Sequence, residues 1–292
     1  MTVKVGMIVN TQKSEAVELA ENLLQWGRSE GVHLHLPSHE AHVLGEPDIN
    51  DREWKETVDM AIVLGGDGTF LRAARYVTGY PIPLYGINVG HLGFLSCGNV
   101  RKAEQDITRI LKGEHTVQKR SLLRGVVTRG DMRKHELYAL NDLVISKGPF
   151  ARVISIEITI GDKPLNILHA DGILLSTPTG STAYALSAGG PIVPPHVPCM
   201  ILVPICAHTL YSRPMILGEE DVVTLSPQGQ HREIMLTQDG QLGYELLPGD
   251  QIHVSLSRDK FVEVIILPEN EYYSLLKEKF RWGHSKREEG GD

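Results

Sequence analysis

Residues 60–77 read MAIVLGGDGTFLRAARYV. The apolar run 60–64 has the length and composition of a buried strand, and residues 70–77 bring apolar side chains back at helical spacing. Between them stand Gly65, Gly66, Asp67, Gly68 and Thr69. Glycines let the chain turn sharply and let backbone N–H groups approach an anion with no Cβ in the way. The helix N-terminus that follows adds a favourable partial positive charge. Strand, glycine turn and helix together therefore read as a phosphate-binding turn in an α/β unit. It is not a P-loop, because no Gly-Lys-Ser/Thr follows, and its glycine spacing is not that of the Rossmann dinucleotide fingerprint. Asp67 sets it apart. A carboxylate beside phosphates is costly unless it holds Mg²⁺ or takes a proton, and of the two the general base for an attacking hydroxyl is preferred. The plainer alternative is a structural turn with an aspartate as helix cap. Arg72 and Arg75 follow just inside the helix, where they reach either phosphates or solvent.

Outward from this turn the pattern repeats. Residues 3–9 form a strand, residues 10–13 a polar break, and from Ser14 a helix places Ala16, Leu19, Ala20, Leu23 and Leu24 on one face before Gly31 offers a left-handed stop. Strands at 32–36 and 83–87 and a helix over 101–112 continue the alternation that marks a parallel α/β sheet. After about residue 120 the pattern changes to short alternating runs. Ile154, Ile156, Ile158 and Ile160 alternate with polar residues before a Gly161-Asp162 turn. Further strands read at 122–128, 222–225, 234–237, 252–256 and 262–266. A helical pattern returns over 269–282, with Tyr272, Leu275, Leu276 and Phe280 as its buried face, and the tail from 284 onward is expected to fray. The expected fold is thus an N-terminal Rossmann-like α/β domain (residues 1–120 and 269–292) and a C-terminal β-sandwich domain (121–268), with the last helix returning to the first domain.

Composition narrows the function. A chain of 292 residues suits two domains, and 41% hydrophobic with 22% charged residues is ordinary globular composition. The net charge of -7 argues against a nucleic-acid partner, which calls for a basic face. An odd set of cysteines, Cys97, Cys199 and Cys206, with no secretory pattern at the start, predicts free thiols in a reducing compartment, the cytoplasm. The most apolar run, 197–207, is short and proline-punctuated, so no membrane association is expected. His33, His35, His39 and His42 lack partners at zinc-ligand spacing and read as a solvated strand edge, and Cys199, Cys206 and His208 fit no zinc spacing either. There is no Gly-x-Ser-x-Gly elbow for a hydrolase.

Residues 171–195 read DGILLSTPTGSTAYALSAGGPIVPP. Thr179, Ser181 and Thr182 offer hydroxyls and Tyr184 a flat face to a ligand, although such a segment alone would serve as a connection. Taken with GGDGT at 65–69, GINVGHLGFL at 86–95, ALND at 139–142, PICAHTLYSRP at 204–214 and QDGQ at 238–241, it resembles the NAD kinase family in order and spacing along nearly the whole chain. GGDGT alone is shared with lipid kinases and phosphofructokinases; the 171–195 segment is far more specific.

The resemblance implies roles residue by residue. Asp67 matches the catalytic aspartate. Gly65, Gly66, Gly68, Thr69 and Arg72 fall where ATP phosphates bind, with a divalent cation, Mg²⁺, carried by the nucleotide and no metal site on the protein. Phe94 matches a residue lining the adenosine pocket of NAD, and Gly68 a contact in the same turn. Asn141 and Asp142 match the pair that holds ribose hydroxyls, a task suited to an amide and a carboxylate. Thr179, Thr182, Ala183 and Tyr184 match adenosine-side contacts, and Asp171 a nicotinamide-side contact. Cys206, Ala207 and His208 match a loop near the nicotinamide end supplied across a subunit interface, in a homodimer or homotetramer. Two departures stand out. Ala207 sits where proline is frequent, and His169, a variable position in the family, would put a neutral ring beside the nicotinamide and widen acceptance to NADH. The implied activity is transfer of the ATP γ-phosphoryl group to the adenosine ribose 2′-hydroxyl of NAD, giving NADP, in a cleft between the domains. A lipid kinase and a non-catalytic NAD sensor are the rivals. The first has no use for a ribose-gripping pair, and the second has none for Asp67.

Overall fold

The structure, a computed structural model, describes residues 3–47, 49–90, 93–148, 153–228 and 233–281. It divides into two compact units, 1–118 with 263–292 and 119–262.

The first unit begins with β1 (Val5–Val9), α1 (Ser14–Glu30), β2 (Leu34–His35), α2 (Ser38–Leu44), α3 (Asp51–Thr57), β3 (Met60–Gly65), α4 (Asp67–Val77), β4 (Leu84–Asn88), β5 (Ser96–Asn99) and α5 (Ala103–Leu111). Its strands are parallel in the order β2-β1-β3-β4-β5. In α1 the expected face is the buried one, against Val5, Met7 and Val9 of β1. Gly31 closes the helix in the left-handed conformation, φ 72°, its N–H on the Gly27 carbonyl. The chain leaves β1 toward β2 on one side and β3 on the other. This reversal leaves a crevice at the carboxyl ends of β1 and β3, the place where open parallel sheets bind ligands.

Two helices here had no counterpart in the sequence pattern. His39 and His42 lie in α2, not on a solvated strand edge. α3 is pinned by Trp54, which is fully buried; its indole N–H donates to the His35 carbonyl at 2.9 Å.

The second unit holds nearly all of β6 (Thr116–Arg129), then β7 (Met132–Ala139), β8 (Asp142–Lys147), β9 (Ile154–Ile160), β10 (Lys163–Ala170), β11 (Gly172–Ser176), α6 (Tyr184–Ser187), β12 (Cys199–Ile205), β13 (Met215–Gly218), β14 (Val223–Gln228), β15 (Ile234–Gln238), β16 (Leu242–Leu246) and most of β17 (Asp250–Ile266). One antiparallel sheet runs β13-β12-β11-β8-β15-β16. A second antiparallel set, β10-β9-β14-β17, carries the alternating isoleucines. Ile154, Ile156 and Ile158 of this set share one buried core with Leu143, Ile145, Ile173, Leu175, Met200 and Leu236 of the other, so the unit is a β-sandwich. The strands expected at 252–256 and 262–266 are a single strand, β17, because the polar residues between them stay extended instead of turning.

The chain returns to the first unit for α7 (Tyr272–Phe280). Leu275 and Leu276 are its buried pair, and the Phe280 ring lies 6.2 Å from that of Phe94. Trp282 and the tail lie outside the described residues. Among the described residues no helix is long and apolar enough to cross a membrane.

Candidate active site

Gly65 ends β3, Gly66 is the extended residue before the helix, and α4 begins at Asp67, three residues earlier than its apolar spacing indicated. The Gly66 carbonyl accepts the N–H groups of Thr69 and Phe70 at 2.9 and 3.1 Å. Asp67 does not cap its own helix. Its carboxylate reaches the loop before β5, where Oδ2 accepts the Phe94 N–H at 2.9 Å and Oδ1 accepts those of Leu95 and Ser96 at 3.1 and 3.0 Å. The approach is so close that a Cβ on Gly93 would lie 1.9 Å from Oδ1, so only glycine fits there. Each carboxylate oxygen offers about two lone pairs. Among the described residues Oδ1 takes two donors and Oδ2 one, which leaves an acceptor position on Oδ2. His91 and Leu92 of the GHLGFL stretch lie outside the described residues.

Arg72 is committed at the end of β1. Its guanidinium donates to the Val9 carbonyl at 2.8 Å and to the carboxylate of Glu40, itself 2% exposed, at 2.9 Å. Lys13, which sequence reasoning passed over, donates to the Val89 carbonyl beyond β4 at 3.1 Å and so stands at the same carboxyl edge of the sheet.

In the second unit the loop entering β8 is braced from two sides. Asp239, in the left-handed conformation at φ 52°, accepts the N–H groups of Leu140, Asn141 and Asp142 at 3.1, 2.7 and 3.1 Å. From the other side the Thr177 hydroxyl donates to the Leu140 carbonyl at 2.5 Å and accepts the Gly180 N–H at 3.1 Å. The Asn141 carbonyl takes the Thr177 N–H and the Ser176 hydroxyl, and a Cβ on Gly180 would meet it at 2.3 Å. Burial, and then the charge of Asp239, push the Asp142 carboxyl up to about 7. Neither Asp239 nor Thr177 had been singled out. An Asp-Gly pair such as that in QDGQ is a turn signal, but nothing local says that its carboxylate holds another loop.

Beyond Thr177 the chain makes a tight 3-10 turn from Thr179 to Thr182 and enters α6. Thr179 is buried, Thr182 and Ala183 are half-buried, and Tyr184 is exposed. At the far end of β8 and β11 a second polar cluster forms. Lys147 pairs with Asp171 at 2.8 Å, the His169 ring meets the Ser155 hydroxyl at 2.8 Å, and the His169 carbonyl accepts the His208 N–H. Cys206 turns this loop with φ 47°, and Ala207 packs on the sandwich core. β8 and β11 pair with Asp142 opposite Ser176 and Ser146 opposite Gly172. The two clusters therefore lie at opposite ends of one strand pair, roughly 17 Å apart at about 3.4 Å per residue.

A glycine turn at the carboxyl edge of a parallel sheet in one unit, and two polar loop clusters on a sandwich in the other, define a nucleotide-dependent phosphotransferase. The ATP-NAD kinase N-terminal domain family matches residues 5–115 and the ATP-NAD kinase C-terminal domain family residues 140–266. The chain is 39% identical over 288 residues to the NAD kinase of Moorella thermoacetica, covering 98% of this chain and 92% of that one. It is also 39% identical to the NAD kinase of Symbiobacterium thermophilum, covering 94% and 98%. In fold it is similar to yeast NADH kinase complexed with NADH (TM-score 0.89, 23% identity, covering 99% of this chain and 91% of that one) and to an NAD kinase from Archaeoglobus fulgidus in complex with ATP (TM-score 0.71, 22% identity, covering 94% and 99%). The chain belongs to the NAD kinase family, and it is an enzyme that phosphorylates NAD at the expense of ATP.

Proposed function

We propose that NAD binds to the sandwich unit in extended form, its adenosine ribose at Asn141 and Asp142 and its nicotinamide end toward His169 and Asp171. The spacing of the two clusters along β8 and β11 carries this reading, since an extended dinucleotide bridges such a span. Thr179, Thr182, Ala183 and Tyr184 serve the adenosine, a role the family resemblance also gives to Phe94 and Gly68. Cys206, Ala207 and His208 complete the nicotinamide end. The ribose grip works because Asp239 and Thr177 fix the 140–142 backbone before substrate arrives, so little ordering is left for binding to supply.

Gly65, Gly66, Gly68 and Thr69 serve the ATP phosphates, and Arg72 reaches them through the guanidinium nitrogens that Val9 and Glu40 do not engage. The open acceptor position on Asp67 Oδ2 receives the 2′-hydroxyl hydrogen as the oxygen attacks the γ-phosphorus. The same carboxylate positions Phe94 through its backbone bonds, so it acts as catalytic group and as loop anchor. A divalent cation, Mg²⁺, neutralises phosphate charge when bound. Among the described residues no group of three or more His, Cys, Asp or Glu could hold a metal, and the Asp67 carboxylate is largely engaged by backbone N–H groups. The ion's ligands are then phosphate oxygens and water.

The protein acts in the cytoplasm with its three cysteines outside any disulfide. It works as a homodimer or homotetramer, a reading supported by Leu210 and Tyr211, apolar and 85% and 92% exposed just beyond His208. The test is purified protein with NAD, ATP and Mg²⁺, with product read by an NADP-specific dehydrogenase. No NADP despite NAD binding would favour a sensor, and phosphorylation of diacylglycerol in place of NAD a lipid kinase.

A further inference from the structure

Lys147 ends β8, and its ammonium meets Asp171 Oδ1 at 2.8 Å. This lysine belongs to none of the sequence motifs, yet the backbone is arranged to hold the pair. The Asp171 carbonyl accepts the Lys147 N–H at 3.0 Å, and the Asp171 N–H donates to the Ile205 carbonyl at 3.0 Å. Asp171 is thereby fixed between β8 and β12 just before β11 begins.

The pair is a poor stability device. Its two side chains are 28% and 36% exposed, and an ion pair so open to water adds little to folding. What it supplies is direction. With Oδ1 engaged by the ammonium, the carboxylate is held in one orientation, and among the described residues no donor reaches Oδ2. An ionised carboxylate is acceptor only. The neighbouring His169 is already bonded, its ring to the Ser155 hydroxyl at 2.8 Å and its carbonyl to the His208 N–H at 2.8 Å. The cluster thus presents one directed acceptor, and the charge of the acid is matched by the lysine beside it.

A directed acceptor reads a donor. On the nicotinamide ring of NAD the N–H donors are those of the carboxamide. In the deamidated dinucleotide a carboxylate stands there instead, with no donor and with a negative charge turned toward Asp171. Lys147, matched by Asp171, offers that carboxylate no net attraction. Sites built around a hydrogen bond to a substrate N–H reject analogues that lack it far more sharply than apolar pockets do.

We propose that Lys147 is a positioning residue: by holding Oδ1 it turns Asp171 Oδ2 toward the carboxamide, and the pair selects the amidated dinucleotide over the deamidated one. Amidation of the pyridine carboxylate must then precede phosphorylation. This rests on the nicotinamide end of NAD lying at Asp171.

The test uses the full chain and initial rates with ATP and either NAD or nicotinic acid adenine dinucleotide. The wild type should favour NAD in kcat/KM by about fiftyfold or more, below the roughly 10⁴-fold of enclosed sites because water reaches the pair. Lys147→Gln should raise KM for NAD about three- to tenfold with kcat within about twofold, and Lys147→Arg should restore it, since a guanidinium serves Oδ1 as an ammonium does. The melting temperature of Lys147→Gln should move by no more than about 3 °C. Asp171→Asn, whose amide both accepts and donates, should cut the preference for NAD by about tenfold or more. A wild type that takes both dinucleotides equally would overturn the proposal. So would a wild-type KM for NAD in Lys147→Gln beside a clear Asp171→Asn effect, which leaves the binding mode of NAD standing. An Asp171→Asn enzyme with unaltered KM for NAD and unaltered preference would bring down the nicotinamide placement and this assignment together.

Discussion

Replacing Asp142 with asparagine removes a charge while keeping shape and backbone contacts. Asp142 is 4% exposed, and burial followed by the field of Asp239 moves its pKa from 3.8 to about 7. Between those values the folded chain holds a proton that the unfolded chain has released, so this group's contribution to stability is fully present below about pH 4 and is lost as pH rises toward and past 7. About three pKa units at 1.36 kcal/mol each give a loss of about 4 kcal/mol by pH 8. This is an upper bound, because water reaching the carboxylate in partly open states reduces it. Asp142→Asn should therefore match the wild type near pH 4 and exceed it by up to about 4 kcal/mol at pH 8. At roughly 2–4 °C per kcal/mol for a unit of this size, the melting temperature would rise by about 10 °C.

The measurement is a urea or thermal unfolding series at pH 4.5, 6 and 8 on both proteins, taken as the difference between them so that other titrating groups cancel. The same substitution should weaken NAD binding, because the ribose loses its carboxylate acceptor. Stabilisation at high pH together with a raised KM for NAD would mark a group kept ionisable for binding at a cost to the fold. Difference curves flat from pH 4.5 to 8 would refute the reasoning, since they would mean that the carboxyl is solvated or paired in the folded state.

Four further outcomes are expected. Asp67→Asn should lower kcat by about 10²- to 10⁴-fold, and because an amide turns one N–H₂ group toward the three backbone donors, KM for NAD should rise as well; near-normal turnover would remove the base role. Asp239→Asn should cost about 3 kcal/mol of stability by weakening charge-assisted bonds to residues 140–142 and raise KM for NAD far more than it lowers kcat, whereas an unaltered KM in steady-state kinetics would show that the loop needs no clamp. Gly180→Ala, whose Cβ would stand 2.3 Å from the Asn141 carbonyl, should destabilise by about 1–3 kcal/mol in denaturant titrations, and a wild-type midpoint would count against the tight approach. His169→Arg should change the ratio of kcat/KM for NAD over NADH several-fold; identical ratios in the two proteins would end the idea that this position sets redox-state preference.

The parts of the fold that were legible in the sequence are those whose cause is local. In α1 the apolar face and its glycine stop are both written in one stretch of chain, and the alternating isoleucines of β9 name their own buried side. The elements that were not legible depend on partners elsewhere. α2 and α3 lack an apolar stripe, and α3 is fixed by a single indole whose place is opened by the missing side chain of Gly6, where a Cβ would meet the Trp54 ring at 2.3 Å. β17 reads as two strands because its polar middle looks like a turn.

The site follows the same logic at longer range. Asp67 and Asp239 each hold three consecutive backbone N–H groups, of residues 94–96 and 140–142, from 27–29 and 97–99 positions away. A backbone amide has no residue identity, so no spacing rule pairs a carboxylate with the loop it holds. The quoted motifs carried that information without stating it: GGDGT touches GHLGFL through Asp67, and ALND is gripped between QDGQ and STPTG. Each ligand loop thus owes its shape to a carboxylate or hydroxyl on another segment. A substitution in one motif should therefore express its effect through the loop of its partner, which is why KM for NAD, and not turnover alone, reports on Asp67 and Asp239.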